Sequence, residues 1–330
     1  MSNLSERRIF VTGATGIVGS WLVRRLLDEG AYVVALVRDA DPQSELFRSG
    51  TVRQVSVVSG ALEDYTTLER AINEHETDTV FHLAAQTIVG TALRAPLPTF
   101  ESNIRGTYHV LEACRRLEGL VKAVVVASSD KAYGDSDVLP YTEDMPPLGR
   151  HPYDVSKSCT DLIAQSYAHT YNLPVGIARA GNIYGGGDLN WSRIVPGTIR
   201  SAVREEHPVL RSDGTFIRDY IFVEDVVEGY LKLAAAVRAG SSIGEAYNLS
   251  TESKVTALQM MKAVLQAADA EHLEPVVKNT ARAEIKHQYL DATKAREHLG
   301  WTANFSLEEG LGRTVRWYRE FFRPAALEVV

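Results

Sequence analysis

The sequence predicts a doubly wound α/β protein, a parallel sheet with helices on both faces, joined to a smaller and discontinuous α/β lobe. Three observations carry that prediction. Through residues 1–180, six short β-branched runs alternate with segments whose apolar residues recur at i, i+3, i+4 and i+7. The first run ends in a glycine-punctuated turn that opens directly into the first helical segment. After Arg179 the alternation loosens into the Gly-rich "AGNIYGGGDLN", and a strand and helix pattern resumes only at "YIFVEDVVEGYLKLAAA".

Strands are expected, in order, at "RRIFVT", "AYVVALV", "VRQVSVV", "DTVFHLA", "KAVVVAS" and "LPVGIAR". Helices are expected over 17–29, 65–75, 99–118 and 152–171, where the period lays an apolar stripe against the sheet. Residues 181–217 read as the first contribution to a second lobe, and "AYNLS" at 246–250 reads as a return strand. Thr256 then leads a helix, a short strand lies near Tyr289, and Ser306 with Glu309 forms a capping box on the last helix. The expected organisation is 1–180 with 218–250 as one domain and 181–217 with 251–330 as the other.

With 330 residues, 45% hydrophobic and 23% charged, the chain can fill two unequal cores. A net charge of -7 and a pI near 5.8 give no general attraction to nucleic acid or to an anionic membrane. Cys114 and Cys159 both fall in helical segments, which fits buried thiols in a reducing compartment better than a disulfide. No metal-ligand spacing occurs. The stretch "MSNLSERRIFVTG" lacks an uninterrupted apolar run, and nothing later reaches the roughly 18 apolar residues of a membrane span. The expectation is a cytoplasmic protein that acts on small molecules.

The turn in "IFVTGATGIVGSWLVRRLL" places Gly13, Gly16 and Gly19 between a strand and a helix, which is a dinucleotide-binding arrangement. Gly13 permits the tight turn, Gly16 admits a pyrophosphate to the positive helix end, and Gly19 lets helix and sheet approach. In "YDVSK", Tyr153 and Lys157 stand four apart and so share a helix face. A phenol acts as a base near neutral pH only when its anion is stabilised, and a neighbouring ammonium stabilises it. His82 in "FHLAAQ" reads as a packed strand residue.

With "VTGATGIVG", "HLAAQ", "SSDKAYG", "YDVSK", "AGNIYGGGD", "IRDYIFVED" and "LGW" in this order, nearly the whole chain resembles the extended short-chain dehydrogenase/reductases that act on nucleotide sugars. The resemblance implies a tightly bound, recycled NAD(P). Contacts to it would come from Gly13, Thr15, Gly16, Ile17, Gly19, Arg38, Leu62, Asp64, Ala84, Ala85, Tyr153 and Lys157. It implies that Tyr153 takes a proton from a sugar hydroxyl, that Lys157 holds the nicotinamide ribose and that Ser129 bonds the reacting oxygen. Two positions depart from the family. Val37 and Arg38 stand where NAD binders commonly end the second strand in Asp, and a guanidinium suits a 2′-phosphate, so NADP is favoured unless Arg38 is only a solvated charge. Ala61 stands where relatives usually carry the Asp that contacts adenine.

Directly after the fifth strand comes "SSDKAYG". Dehydratases acting on dTDP-glucose carry Thr-Asp-Glu here, and those acting on CDP-glucose carry Ser-Asp-Lys, as this chain does. The resemblance makes Asp130 the acid that protonates a departing C6 hydroxyl and Lys131 the base that removes the C5 proton. Successive side chains on a strand face opposite ways, so both reach one sugar only if the chain leaves the sheet, with Gly134 as the exit. Lys131 must also be neutral, which burial and the charge of Lys157 would favour, and Asp130 must be protonated. Gln86, Asn182, Arg193, Arg218 and Arg282 are the implied contacts to the nucleotide-diphosphate hexose. The helices over 99–118 and 152–171, with Leu162 and Tyr167 on their outer faces, are those that pair in the family's homodimers. The expected activity is a 4,6-dehydratase giving a 4-keto-6-deoxyhexose. A 4-epimerase is the alternative, followed by a net oxidoreductase or decarboxylase and a non-catalytic cofactor sensor. Base and hexose stay open.

Overall fold

The Val- and Ile-rich runs become β1 (Arg8–Thr12), β2 (Tyr32–Val37), β3 (Ser56–Ser59), β4 (Thr79–His82), β5 (Ala123–Ala127) and β6 (Val175–Ala180). The structure is a computed structural model that describes residues 4–280 and 285–323. After β6 the chain leaves the sheet for β7 (Asn182–Tyr184), β8 (Val209–Leu210), β9 (Ile217–Arg218) and β10 (Tyr220–Phe222). It returns with β11 (Ala246–Leu249) at the sheet edge and leaves again for β12 (Val255–Thr256), β13 (Val276–Val277) and β14 (His287–Gln288).

The main sheet runs β11-β6-β5-β4-β1-β2-β3, with every pair parallel. Strands covered on both faces need continuous apolar runs, and β4 and β6 are buried at every position. The order reverses at β1, which lies between β2 and β4, so the crevice at the carboxyl ends of β1 and β4 is the topological switch point. Helices Ile17–Asp28 and Val223–Arg238 cover one face around Leu22, Val33, Val125 and Leu233. Helices Tyr65–Glu74, Gly106–Arg116 and Pro152–Tyr171 cover the other around Phe10, Ile72, Leu111 and Val124. Each such side chain contributes about 1.5–3 kcal/mol on burial.

Outside the sheet, β7 pairs with β10, β9 lies between β12 and β14, and β8 pairs with β13. A separate core of Tyr184, Ile199, Phe222, Met260, Leu311 and Tyr318 fills this lobe. The expected capping box of Ser306 with Glu309 forms, and Thr256, expected to lead a helix, forms a second with Gln259. Cys114 and Cys159 carry free thiols, the first buried and the second half-buried. Among the described residues no helix is long and apolar enough to cross a membrane, and no His/Cys/Asp/Glu group could hold a metal ion.

Three segments differ from expectation. The start of "VRQVSVV" belongs to a 3-10 turn, Thr51–Gln54, and only Ser56–Ser59 is strand. "NIY" is not loop but β7, and the resuming strand β10 pairs with it rather than rejoining the main sheet. The helix expected over 99–118 is broken by a π turn, Glu101–Arg105, between Pro96–Phe100 and Gly106–Arg116. Period counting averages over such an inserted residue and does not detect it.

Candidate active site

The site begins where β1 and β4 end side by side, with Thr12 opposite His82 in register. Thr12 Oγ1 accepts hydrogen bonds from Leu83 N and Ala84 N, 3.2 Å each, and lies 2.9 Å from His82 Nδ1. His82 is buried, and burial, with the Lys157 charge adding, lowers its imidazole to about 3, so it is a neutral packing residue. Gly13 follows with φ +74°, and a Cβ there would lie 2.7 Å from Ala84 N. At Gly19 a Cβ would lie 2.0 Å from Gly13 O, so helix and turn meet backbone to backbone. Gly16 is the N-cap of Ile17–Asp28 and supplies no capping side chain. The first-turn N–H groups therefore keep their capacity for an anion, and this turn fits the diphosphate of a dinucleotide. Thr15, Ile17, Ala84 and Ala85 stand half-buried around it.

Other expected cofactor contacts are engaged within the protein. Both Asp64 carboxylate oxygens hold Thr67, from N at 3.1 Å and Oγ1 at 2.6 Å, so Asp64 is the N-cap of Tyr65–Glu74. Leu62 is buried against Gly106, where a Cβ would lie 2.6 Å from it. Arg38, just past β2, is exposed and pairs with Asp39 at 2.7 Å.

The chain leaves β5 as the Ser129 side chain accepts from Lys131 N at 3.2 Å, and Asp130–Tyr133 forms a 3-10 turn ending at Gly134. Gly134 has φ +74°, and a Cβ there would lie 2.2 Å from Leu148 O, so only glycine makes this exit. The turn puts Asp130 and Lys131 on one side of the sheet's end. Asp130 is buried and accepts from Ser129 Oγ at 2.9 Å, and the Lys131 amine donates to Gln288 Oε1 on β14.

Helix Pro152–Tyr171 starts beside this turn and carries Tyr153 and Lys157, both buried. Burial pushes the Tyr153 phenol up to about 12; Arg193 and the Ser129 hydroxyl pull it back, while Asp130 and Asp154 add to the rise. Burial lowers the Lys157 amine to about 8 against the opposing pull of Asp161, and its Nζ donates to Ala127 O at 2.7 Å. Arg193 is thus a cation whose charge lowers the phenol, one that the sequence did not point to. Lys131 likewise lies in the field of Asp154, whose carboxyl burial raises and Lys131 lowers.

Arg193 caps helix Ile194–Val203 and reaches Asp188 at 2.9 Å and Thr87 Oγ1 at 3.1 Å, within electrostatic range of Tyr153. Asn182 N donates to Asp219 O at 2.8 Å on the pair β7–β10. The Arg218 guanidinium is buried and donates to Ile217 O, Lys286 O and Ile285 O at 2.6–3.0 Å. The Gln86 amide folds onto its own chain, with Oε1 accepting from Ile88 N at 2.5 Å. Arg282 lies outside the described residues.

Sequence reasoning missed several positioning groups. Asn103, in the π turn, clamps Gln86 with Oδ1 at 2.7 Å from its N and Nδ2 at 3.0 Å from its O, and also reaches Ser156 Oγ at 2.9 Å. Behind the Asp130–Tyr133 turn, Arg179 forks onto buried Asp161 at 2.9 and 2.7 Å and donates to Tyr133 OH at 2.8 Å. Asp161 also accepts from Ser128 Oγ at 2.8 Å. Asp219 is buried and its carboxyl is raised to about 6 by that burial, although Ser250, Thr251 and Leu290 N hold it.

A glycine turn at the switch point of a doubly wound sheet, with Tyr153 and Lys157 one helical turn apart beside Ser129, defines an extended short-chain dehydrogenase/reductase. Within that class the chain belongs to the family described as GDP-mannose 4,6 dehydratase, whose model matches residues 10–314. It is 33% identical to the CDP-glucose 4,6-dehydratase of Salmonella typhimurium, across 96% of this chain and 92% of that protein. The UDP-glucose 4-epimerase of Thermotoga maritima is similar with a TM-score of 0.86 and 30% identity, covering 95% of this chain and 99% of that one. The dTDP-glucose 4,6-dehydratase DesIV of Streptomyces venezuelae, solved with NAD, is similar with a TM-score of 0.85 and 27% identity over 95% and 97% of the two chains.

Proposed function

We propose that this protein is a nucleotide-sugar 4,6-dehydratase, a hydro-lyase that converts an NDP-hexose to an NDP-4-keto-6-deoxyhexose. The observation that carries this reading is the turn after β5, which places Ser129, Asp130 and Lys131 together beside Tyr153. Similarity to CDP-glucose and dTDP-glucose 4,6-dehydratases supports it.

Gly13, Gly16 and Gly19 would hold a nicotinamide dinucleotide, which would supply the hydride chemistry linking C4 and C6 of the sugar. Tyr153 removes the C4 hydroxyl proton while Ser129 orients that oxygen. The resulting C4 ketone acidifies C5–H. Lys131 takes that proton, the C5–H electron pair forms the C5=C6 bond, and the C6–O bond breaks as Asp130 protonates the leaving hydroxyl to water. Lys131 then gives a proton back to C5. Tyr153 releases the C4 hydroxyl proton to solvent and Asp130 regains one from solvent, so atoms and charge balance with the loss of one water and no net change in the cofactor.

The test is mass. Incubation with CDP-, dTDP-, UDP- and GDP-hexoses should yield one product lighter by a water, without net cofactor turnover. The second reading, a 4-epimerase, is favoured by the likeness to UDP-glucose 4-epimerases. It predicts a product of unchanged mass.

For the cofactor, Arg38 supports NADP. Its exposed pairing with Asp39 is worth only about 0–1 kcal/mol, so a 2′-phosphate can displace it. Arg38→Ala should weaken NADP binding about tenfold and leave NAD binding unchanged in titration, and equal losses for both would overturn the preference. A homodimer through helices Gly106–Arg116 and Pro152–Tyr171 is supported by the exposed Tyr108, Leu162 and Tyr171 along them. Leu162→Glu should halve the mass measured by light scattering. The free thiols fit a reducing cytoplasm.

A further inference from the structure

We propose that Gln288, on β14 of the second lobe, is a positioning residue for Lys131, its amide carbonyl holding the amine beside the sugar and stabilising it as it takes a proton. The inference rests on the reading of Lys131 as the C5 base. Gln288 is fully buried, far along the chain from Lys131, and its Oε1 accepts the hydrogen bond from the Lys131 amine. Its own placement is set by β14, which pairs Gln288 with Arg218 in register. The remaining amide group, Nε2, has no hydrogen-bond partner of good geometry and sits against Tyr141, whose hydroxyl donates to Gly134 O at 2.6 Å. A buried amide with an unmet donor is costly, and it persists here where it touches both the amine and the tyrosine that ties down the catalytic turn.

The chemistry follows from the acceptor. A carbonyl oxygen bonds an ammonium more strongly than a neutral amine, so the Gln288 bond tightens as Lys131 gains charge from C5–H, and the stabilisation is larger at the transition state than before it. In the neutral amine the same bond engages one N–H and leaves the lone pair directed elsewhere. The second lobe thereby fixes the base of the first. Around this amine stand Asp130 from the turn, Asp154 from helix Pro152–Tyr171, Tyr141 from the segment before that helix, Arg218 from β9, and Asp219, which lies within the field of Asp130.

The test titrates the amine itself, in the full-length protein as purified. Acetic anhydride labelling of Lys131, followed by mass spectrometry from pH 6 to 11, reads the fraction of free amine. Gln288→Leu removes the acceptor and should move the midpoint to lower pH. Gln288→Glu is nearly isosteric, adds a negative charge and should move it to higher pH. Shifts of opposite sign are the expected result. Loss of packing would not produce them. Midpoints that stay put in the folded Gln288→Glu protein overturn the proposal, and that variant decides the matter alone if Gln288→Leu does not fold. A Lys131→Ala variant separates the two layers. If it still eliminates water at full rate, the base assignment fails. If it is inactive while both Gln288 variants keep the wild-type midpoint and rate, only the role of Gln288 fails.

Discussion

Tyr153 shows how one side chain is set by neighbours from distant parts of the chain. Burial raises its phenol to about 12, Arg193 and the Ser129 hydroxyl lower it, and Asp130 and Asp154 raise it again. A base works only when deprotonated, so any change that raises this value moves the ascending limb of kcat/KM to higher pH. Arg193→Met removes the lowering cation, and the limb should move up by roughly one unit. A profile of the variant that overlays the wild type would show that Arg193 does not act on the phenol. Lys157 follows the linked logic of stability. Its folded value near 8 lies below that of the unfolded amine, so the unfolded chain holds more protons between those two values and stability rises with pH there. Chemical denaturation from pH 7.5 to 10.5 should show the wild type gaining about 2–3 kcal/mol relative to Lys157→Met.

Among elements, the 3-10 turn after β5 converts strand geometry into a site. Two adjacent side chains on a strand would diverge, and the turn at Asp130–Tyr133 brings them to one side. Gly134 makes the exit with a left-handed backbone pressed onto Leu148 O. Gly134→Ala should cost about 1–3 kcal/mol in urea unfolding and reduce kcat more than it raises KM, because Asp130 and Lys131 move with the turn. The π turn does comparable work on the opposite side, presenting Asn103 to both Gln86 and Ser156. Asn103 lies in a stretch where helical periodicity reads smoothly, which is why the sequence pointed to the helix and not to its inserted residue.

Across the whole molecule, a buried chain of groups joins the sheet to the catalytic turn: Ser128, Asp161, Arg179, Tyr133 and Asn248. Arg179 and Asp161 are both almost fully buried, so removing one leaves an uncompensated charge. Arg179→Met should destabilise the protein by about 3–5 kcal/mol, and Arg179→Met with Asp161→Leu should recover most of that loss in thermal unfolding. The sequence alone determined the parallel sheet, the glycine turn, the Tyr153–Lys157 spacing and the Ser306–Glu309 capping box. These follow from short-range rules: periodicity, backbone freedom at glycine and hydrogen bonds a few residues long. Only the tertiary structure decided that β10 pairs with β7, that the Arg193 charge acts on the phenol and that Gln288 meets Lys131. Those outcomes depend on which buried polar groups find partners across long loops, and residues far apart in sequence carry no local mark of the partner that folding brings to them.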